Sequence, residues 1–180
     1  ASFFFSTRER HTTLVSDWSS TGGSSDLPGT HSYSHRGFAP HCYGLGLLPA
    51  NQMTADIERG QATLARYDKQ PTALFRFPGG CMDAASLRAA HAAHVAVVQY
   101  DVASGDAFGT SSARIVQHTL ASVQNGSIVV LHITGGNTAP LTAQALPDIV
   151  TGLRARGFRL VTVSQLLGRT FPAAAPPHLS

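Results

Sequence analysis

Lysine is almost missing from this chain: it occurs once, as Lys69, and charged residues of both signs make up only 13% of the 180. A net charge of +3 with histidine neutral therefore reflects scarcity of charge and not a basic surface. The clustered Lys/Arg with interleaved aromatics that nucleic-acid binding needs is absent, and so is a polybasic membrane patch. No apolar run approaches the roughly 18 residues of a spanning helix. The opening Ala1–Phe5 lacks the charged stretch that precedes the apolar part of a signal peptide. Two cysteines, Cys42 and Cys81, allow at most one disulfide and form no CxxC pair of a zinc ribbon, so the redox compartment stays open. What the chain does hold is 43% hydrophobic residues, enough for one real core, and nine histidines, several beside Gly, Ser and Asp.

The pattern of residues alternates. Ala1–Phe5 reads as a short buried strand, and from Ser6 to about Pro28 the chain turns to Ser, Thr, Gly and charge: a long loop, an insertion or a frame error. Met53, Ile57 and Leu64 line an amphipathic helix running to about Tyr67, with Thr54 as its N-cap. Ala73–Phe77 reads as a strand that ends at Pro78-Gly79-Gly80, Ala84 to about Ala93 as a helix, and His94–Tyr100 as a buried strand. Ser111 to about Gln124 is a third helix and Ser127–Ile133 a near-continuous apolar strand. Leu146, Ile149, Val150 and Leu153 stack on a fourth helix that starts or kinks at Pro147 and stops at Gly157. Phe158–Val163 is the last strand, Ser164–Leu167 a short helix, and 171–180 an Ala/Pro-rich tail. Alternating elements with buried strands imply an α/β domain over about 1–170, its parallel sheet open or closed into a barrel.

In such folds chemistry gathers at the carboxyl ends of strands. Those positions carry Arg76 with the Pro78-Gly79-Gly80 turn, then Asp101 and Asp106, then His132 directly after four apolar residues. A histidine with a buried stem needs its ring nitrogens satisfied, by a carboxylate or by substrate. His31 and His35 in the segment Thr30-His31-Ser32-Tyr33-Ser34-His35 would present both imidazoles on one face of a helix, which suits a single divalent metal. His11, His41, His91, His94, His118 and His178 lack such context and read as surface or helix-face residues. Cys81 reads as a buried thiol or a disulfide partner and not as a nucleophile.

HSYSH at 31–35, FRFPGG at 75–80, YDVASGDA at 100–107 and IVVLH at 128–132, in that order, resemble the polysaccharide deacetylase family, the NodB-homology domain of carbohydrate esterase family 4. The opening ASFFFS resembles the family's second barrel strand, and the stretch from Thr142 to Leu167 its last helix and strand. The resemblance implies a distorted (β/α) barrel that removes N-acetyl or O-acetyl groups from polysaccharides such as peptidoglycan or chitin-like glycans. It implies a divalent metal, zinc or else cobalt or nickel, held by His31 and His35. Arg76 would pair with the catalytic base, Asp106 would tune His132, and His132 would be the general acid. Pro78, Gly79 and Gly80 would border the substrate, and Val130 would line the acetyl pocket; family members often carry Tyr where Gly79 stands. An extracellular or cell-envelope location follows from the same resemblance.

The family's Thr-Phe-Asp-Asp-Gly type segment, which supplies the base and a third metal ligand, is not among these 180 residues. The expected barrel is accordingly incomplete at its amino end and the base unassigned; only Asp17 and Asp26 precede His31 as aspartates. Two readings stand: a metal-dependent deacetylase domain, impaired as given, and a non-catalytic glycan-binding domain that keeps the groove.

Overall fold

The computed structural model describes residues 2–6, 28–68, 71–132, 139–168 and 170–172. Asp17, Asp26, His11, His178, Ile133 and most of the irregular 6–28 stretch lie outside them. The described residues fall into two compact units: residues 28–99 with Phe171 and Pro172, and the strand β1 with residues 100–170.

The first unit holds α1 (Ala50–Leu64), β2 (Leu74–Phe75), a single 3-10 turn at Pro78–Gly80, α2 (Ala84–Ala92) and β3 (Ala96–Val97). The sequence places the cap of α1 at Thr54, but the helix begins a full turn earlier behind Pro49, whose carbonyl accepts the Gln52 N–H. Proline suits that place because the N–H it lacks would have no helical partner. α2 has a reciprocal cap: the Asp83 carboxylate accepts from Ser86 N–H at 2.8 Å, and Ser86 Oγ accepts from Asp83 N–H at 2.7 Å. β2 and β3 pair in parallel, Leu74 with Ala96 and Phe75 with Val97. The expected strand 94–100 is thus cut to two half-buried residues, which among the described residues pair with β2. Phe75 and Phe77 alternate with Arg76, so both rings pack into the core with Phe38, at centroid distances of 4.8–5.9 Å, while Arg76 turns the other way. Phe171, read as the start of a tail, is buried, and its carbonyl accepts Ala73 N–H at 2.8 Å.

The second unit holds β1 (Ser2–Ser6), β4 (Val102–Ala103), α3 (Ser112–Ser122), β5 (Ile128–His132), α4 (Ala139–Ala155) and α5 (Val163–Leu167). β5 is central in the order β1-β5-β4. It pairs in parallel with β4, but β1 lies antiparallel, Phe4 opposite Val130, so the sheet is mixed and not all parallel. An apolar strand beside a buried edge satisfies the edge's N–H and C=O groups in either direction, and burial alone does not choose between them. Val129 and Leu131 face a core shared with Ile115, Ala145, Ile149, Leu153 and Leu160. His132 therefore shares the opposite face of β5 with Val130. α4 does not start at Pro147 but runs eight residues ahead of it. The helix tolerates the hydrogen bond that proline removes because Ala145, Ile149 and Leu153 are all buried along one face. The expected strand at 158–163 is reduced to bridging residues at Leu160 and Val161, and α5 begins at Val163 under a Thr162–Gln165 capping box.

Candidate active site

The sequence-predicted residues form two clusters, one in each unit. In the first, Thr30 bridges in parallel to Phe75, donating its N–H to Leu74 O at 2.8 Å and accepting from Arg76 N–H at 3.1 Å. This pairing delivers His31 to the side of Arg76. His31 Nδ1 donates to the Arg76 carbonyl at 2.6 Å, and Nε2 accepts from the Arg76 guanidinium at 3.1 Å. The tautomer follows, since guanidinium can only donate. Burial first, and then the Arg76 charge, drives the His31 pKa down to about 3, against a smaller opposing effect of the carbonyl bond. The imidazole is neutral, as a metal ligand must be.

Residues 31–35 are not helical, so a helix face is not what brings the two imidazoles together. Ser32 and His35 both have left-handed φ, 66° and 55°, and the chain bends so that the two imidazole rings meet edge to face, centroids 5.0 Å apart. Ser32 Oγ accepts His35 N–H at 3.0 Å. The Asp56 carboxylate on α1 accepts the N–H groups of Tyr33 and Ser34, and Arg59 lies 3.7 Å over the Tyr33 ring. Asp56 escapes the sequence reading because its partners lie more than twenty positions away; its only signal is a carboxylate among small residues on a helix face.

The Pro78–Gly80 turn is tied to the loop after the histidines by a Cys42–Cys81 disulfide. A side chain at Gly79, where φ is 63°, would put its Cβ 2.6 Å from Cys42 Sγ. The disulfide and any larger residue at 79 exclude one another, which gives the departure from the family's Tyr a physical basis.

In the second cluster Asp106, 2% exposed, sits beneath His132. Its Oδ1 accepts His132 Nδ1–H at 2.8 Å and the Ser104 hydroxyl at 2.9 Å; its Oδ2 accepts His132 N–H at 2.6 Å and the Thr142 hydroxyl at 2.8 Å. Burial alone would raise the Asp106 pKa, yet the donors from His132 and Thr142 outweigh it and hold the carboxyl below its ordinary value. With Nδ1 committed, Nε2 is the nitrogen left to exchange a proton, on a ring that is 32% exposed. Ser104 and Thr142 were not singled out from sequence, where a hydroxyl has no distinctive spacing. Asp101, by contrast, serves the sheet: it accepts from Ser127 Oγ and Ile128 N–H and so fixes the start of β5. Val130 is buried on β5. His41, His91, His94 and His118 are exposed.

His31 and His35 suit a divalent cation as two of its ligands: one ring nitrogen of His31 is held by a backbone carbonyl, the usual outer support of a metal-bound imidazole. Among the described residues no group of three His, Cys, Asp or Glu side chains is placed to complete a site. Asp56 and Asp101 are committed to backbone or hydroxyl donors, and Asp106 to those and the His132 imidazole.

The polysaccharide deacetylase family matches this chain over residues 1–98. A peptidoglycan-N-acetylglucosamine deacetylase from Bacillus cereus is 35% identical over 114 residues, 62% of this chain and 53% of the relative. A family 4 carbohydrate esterase from Streptomyces lividans, solved with acetate, superposes with a TM-score of 0.63 at 28% identity, over 84% of this chain and 71% of that one. A CE4 family pseudoenzyme from Bacillus anthracis superposes at 0.66 and 19% identity, over 77% of this chain and 45% of that one. The chain belongs to the polysaccharide deacetylase family, and its fold is the distorted α/β barrel type of carbohydrate esterase family 4. It spans about half the length of the curated relative it matches.

Proposed function

We propose that the chain is the histidine-bearing part of a deacetylase acting on N-acetylated, or O-acetylated, glycans of the peptidoglycan or chitin type, at the cell envelope or outside the cell. The observation that carries this reading is the Asp106–His132 pair, in which a saturated carboxylate fixes an imidazole with Nε2 left for substrate. His31 and His35 would hold a divalent metal, zinc or else cobalt or nickel, which when bound polarises the acyl carbonyl and lowers the pKa of water. The chain's own part in the chemistry is the proton. Amide hydrolysis adds water to the carbonyl carbon and breaks the C–N bond, and the departing nitrogen leaves as a neutral amine only if it is protonated. His132 as imidazolium donates that proton from Nε2. Asp106 stabilises the imidazolium and holds the ring; with all four of its acceptor sites used it does not serve as the base. Pro78, Gly79 and Gly80 border the sugar and Val130 backs the acetyl methyl.

A second reading, a glycan-binding domain without turnover, is favoured by one observation: Arg76 occupies the ring nitrogen of His31 that a metal would use. Acetate release from an N-acetylglucosamine oligomer with added zinc or cobalt separates the two. In a version of the domain that turns over, His132→Ala lowers turnover about a hundred-fold or more with metal still bound; unchanged turnover would remove His132 from the mechanism. Oligomer binding without acetate release would favour the second reading.

A further inference from the structure

The loop between His35 and α1 is built to hold one exposed aromatic ring. Its base is closed by Gly37 N–H to Gly46 O at 2.9 Å, Leu48 N–H to Gly37 O at 2.8 Å, and the Arg36 guanidinium on Leu47 O at 2.6 Å. Its apex is pulled inward at Cys42, which is 5% exposed and bonded to Cys81. On either side of that buried cysteine, His41 and Tyr43 take left-handed φ of 59° and 47°. Non-glycine residues resist that conformation, and it persists only where surrounding structure imposes it. Tyr43 is 66% exposed. Its backbone is pinned by the disulfide at the preceding residue, and its ring edge lies 3.0 Å from the position a Gly79 Cβ would take.

We propose that Tyr43 is a stacking platform for a sugar ring of the glycan, next to the residue that reaches the histidines; this rests on the polysaccharide reading above. Three features choose a saccharide. First, the ring edge lies against Gly79 of the Pro78–Gly80 turn, which starts two residues after Arg76, and Arg76 holds His31. Second, Gly79 at the ring edge and Gly44 next in sequence carry no side chain, and a Cβ added at Gly44 would meet nothing within 4 Å, which leaves room for the apolar C–H face of a neutral hexosamine. Third, the backbone beside Tyr43 is fixed by the Cys42–Cys81 bridge, so less backbone entropy is lost when the sugar docks. Tyr43 is a binding residue and takes no part in the chemistry.

The test is isothermal titration of the full chain with an N-acetylglucosamine tetramer, using wild type, Tyr43→Ala and Tyr43→Phe. Free-thiol counting and thermal melting of each variant show that the disulfide and fold persist. The expected result is binding weakened about ten-fold in Tyr43→Ala and kept within about three-fold in Tyr43→Phe, since the ring face and not the hydroxyl carries the stacking. Binding by Tyr43→Ala as tight as wild type, with both proteins folded, overturns the platform and leaves the glycan reading standing. A wild-type chain that does not bind the tetramer overturns both.

Discussion

Arg76 grips His31 through both ring nitrogens: its carbonyl takes the Nδ1 proton at 2.6 Å while its guanidinium donates to Nε2 at 3.1 Å. On the proposed metal reading the first contact would prepare the imidazole for the ion and the second would compete with it. Arg76 is 2% exposed, so its charge acts through little intervening water. On that reading one arginine and the ion compete for a single lone pair of His31.

Arg76→Met should therefore raise the affinity for cobalt or zinc by about ten-fold, because the backbone carbonyl still orients His31 while the competing cation is gone. Removing one buried charge leaves its partners uncompensated, at a cost of about 3–5 kcal/mol, so the melt of Arg76→Met is recorded beside each titration. Titration followed by the cobalt absorption bands measures the affinity, and His31→Ala in the same background should abolish the gain. Unaltered or weaker binding in a folded Arg76→Met chain would show that the guanidinium does not compete.

Asp106 makes a pH prediction. Its folded-state pKa is depressed, so its contribution to stability is fully present above the ordinary carboxylate range and is lost as pH falls through the lowered value, below about pH 4. Asp106→Asn removes that acid branch. It also sets an amide against four donors, at a cost of about 2–4 kcal/mol at neutral pH. Urea unfolding from pH 3 to pH 7 gives both numbers; parallel pH profiles for the two proteins would contradict the assignment.

The order of helices and strands was legible because apolar spacing is local, whereas the caps Asp83 and Ser111, which hold α2 and α3 through the Ser86 and Arg114 N–H groups, were not singled out. The direction of β1 was not, since an apolar strand pairs either way, and neither was the start of α1, where a proline took the place of a hydroxyl cap. At the site, His31, His35, Arg76, Asp106 and His132 stood out by type and position. The route by which the first two meet did not: spacing of four suggested a helix, and two left-handed residues make the turn instead. Asp56 and Thr142 were invisible because each acts on a segment far away in sequence, Thr142 on Asp106 across 36 positions.

Reduction of Cys42–Cys81 should destabilise the unit formed by residues 28–99. The bond closes a segment with a separation of 39 residues, which on chain entropy is worth about 3–4 kcal/mol. A melting temperature lowered by several degrees in dithiothreitol, and a Cys42→Ser/Cys81→Ser chain that no longer responds to the reductant, are the expected results. An identical melt with and without reductant, with thiols counted as free, would show that the bridge adds nothing to the fold.

The histidine loop rests on α1 at two points, and this leads to a prediction that separates site geometry from stability. Asp56 holds the N–H groups of Tyr33 and Ser34, and one helical turn later a Cβ at Gly60 would lie 3.1 Å from the Ser32 carbonyl carbon and 3.3 Å from Tyr33 N. Alanine at 60 should gain up to about 1 kcal/mol of helix propensity, and lose a comparable amount as backbone is pushed a few tenths of an ångström away. Global stability should then change little in Gly60→Ala. The push falls on Ser32, whose hydroxyl sets His35, so the spacing between the two imidazoles shifts while the support of His31 at Arg76 does not. Metal sites tolerate only about 0.2 Å in ligand distance. Gly60→Ala should accordingly melt within a few degrees of wild type but bind cobalt about five- to ten-fold more weakly, and Asp56→Asn should weaken it in the same direction by releasing the loop. If both variants bind cobalt as wild type does, α1 is not what places His35.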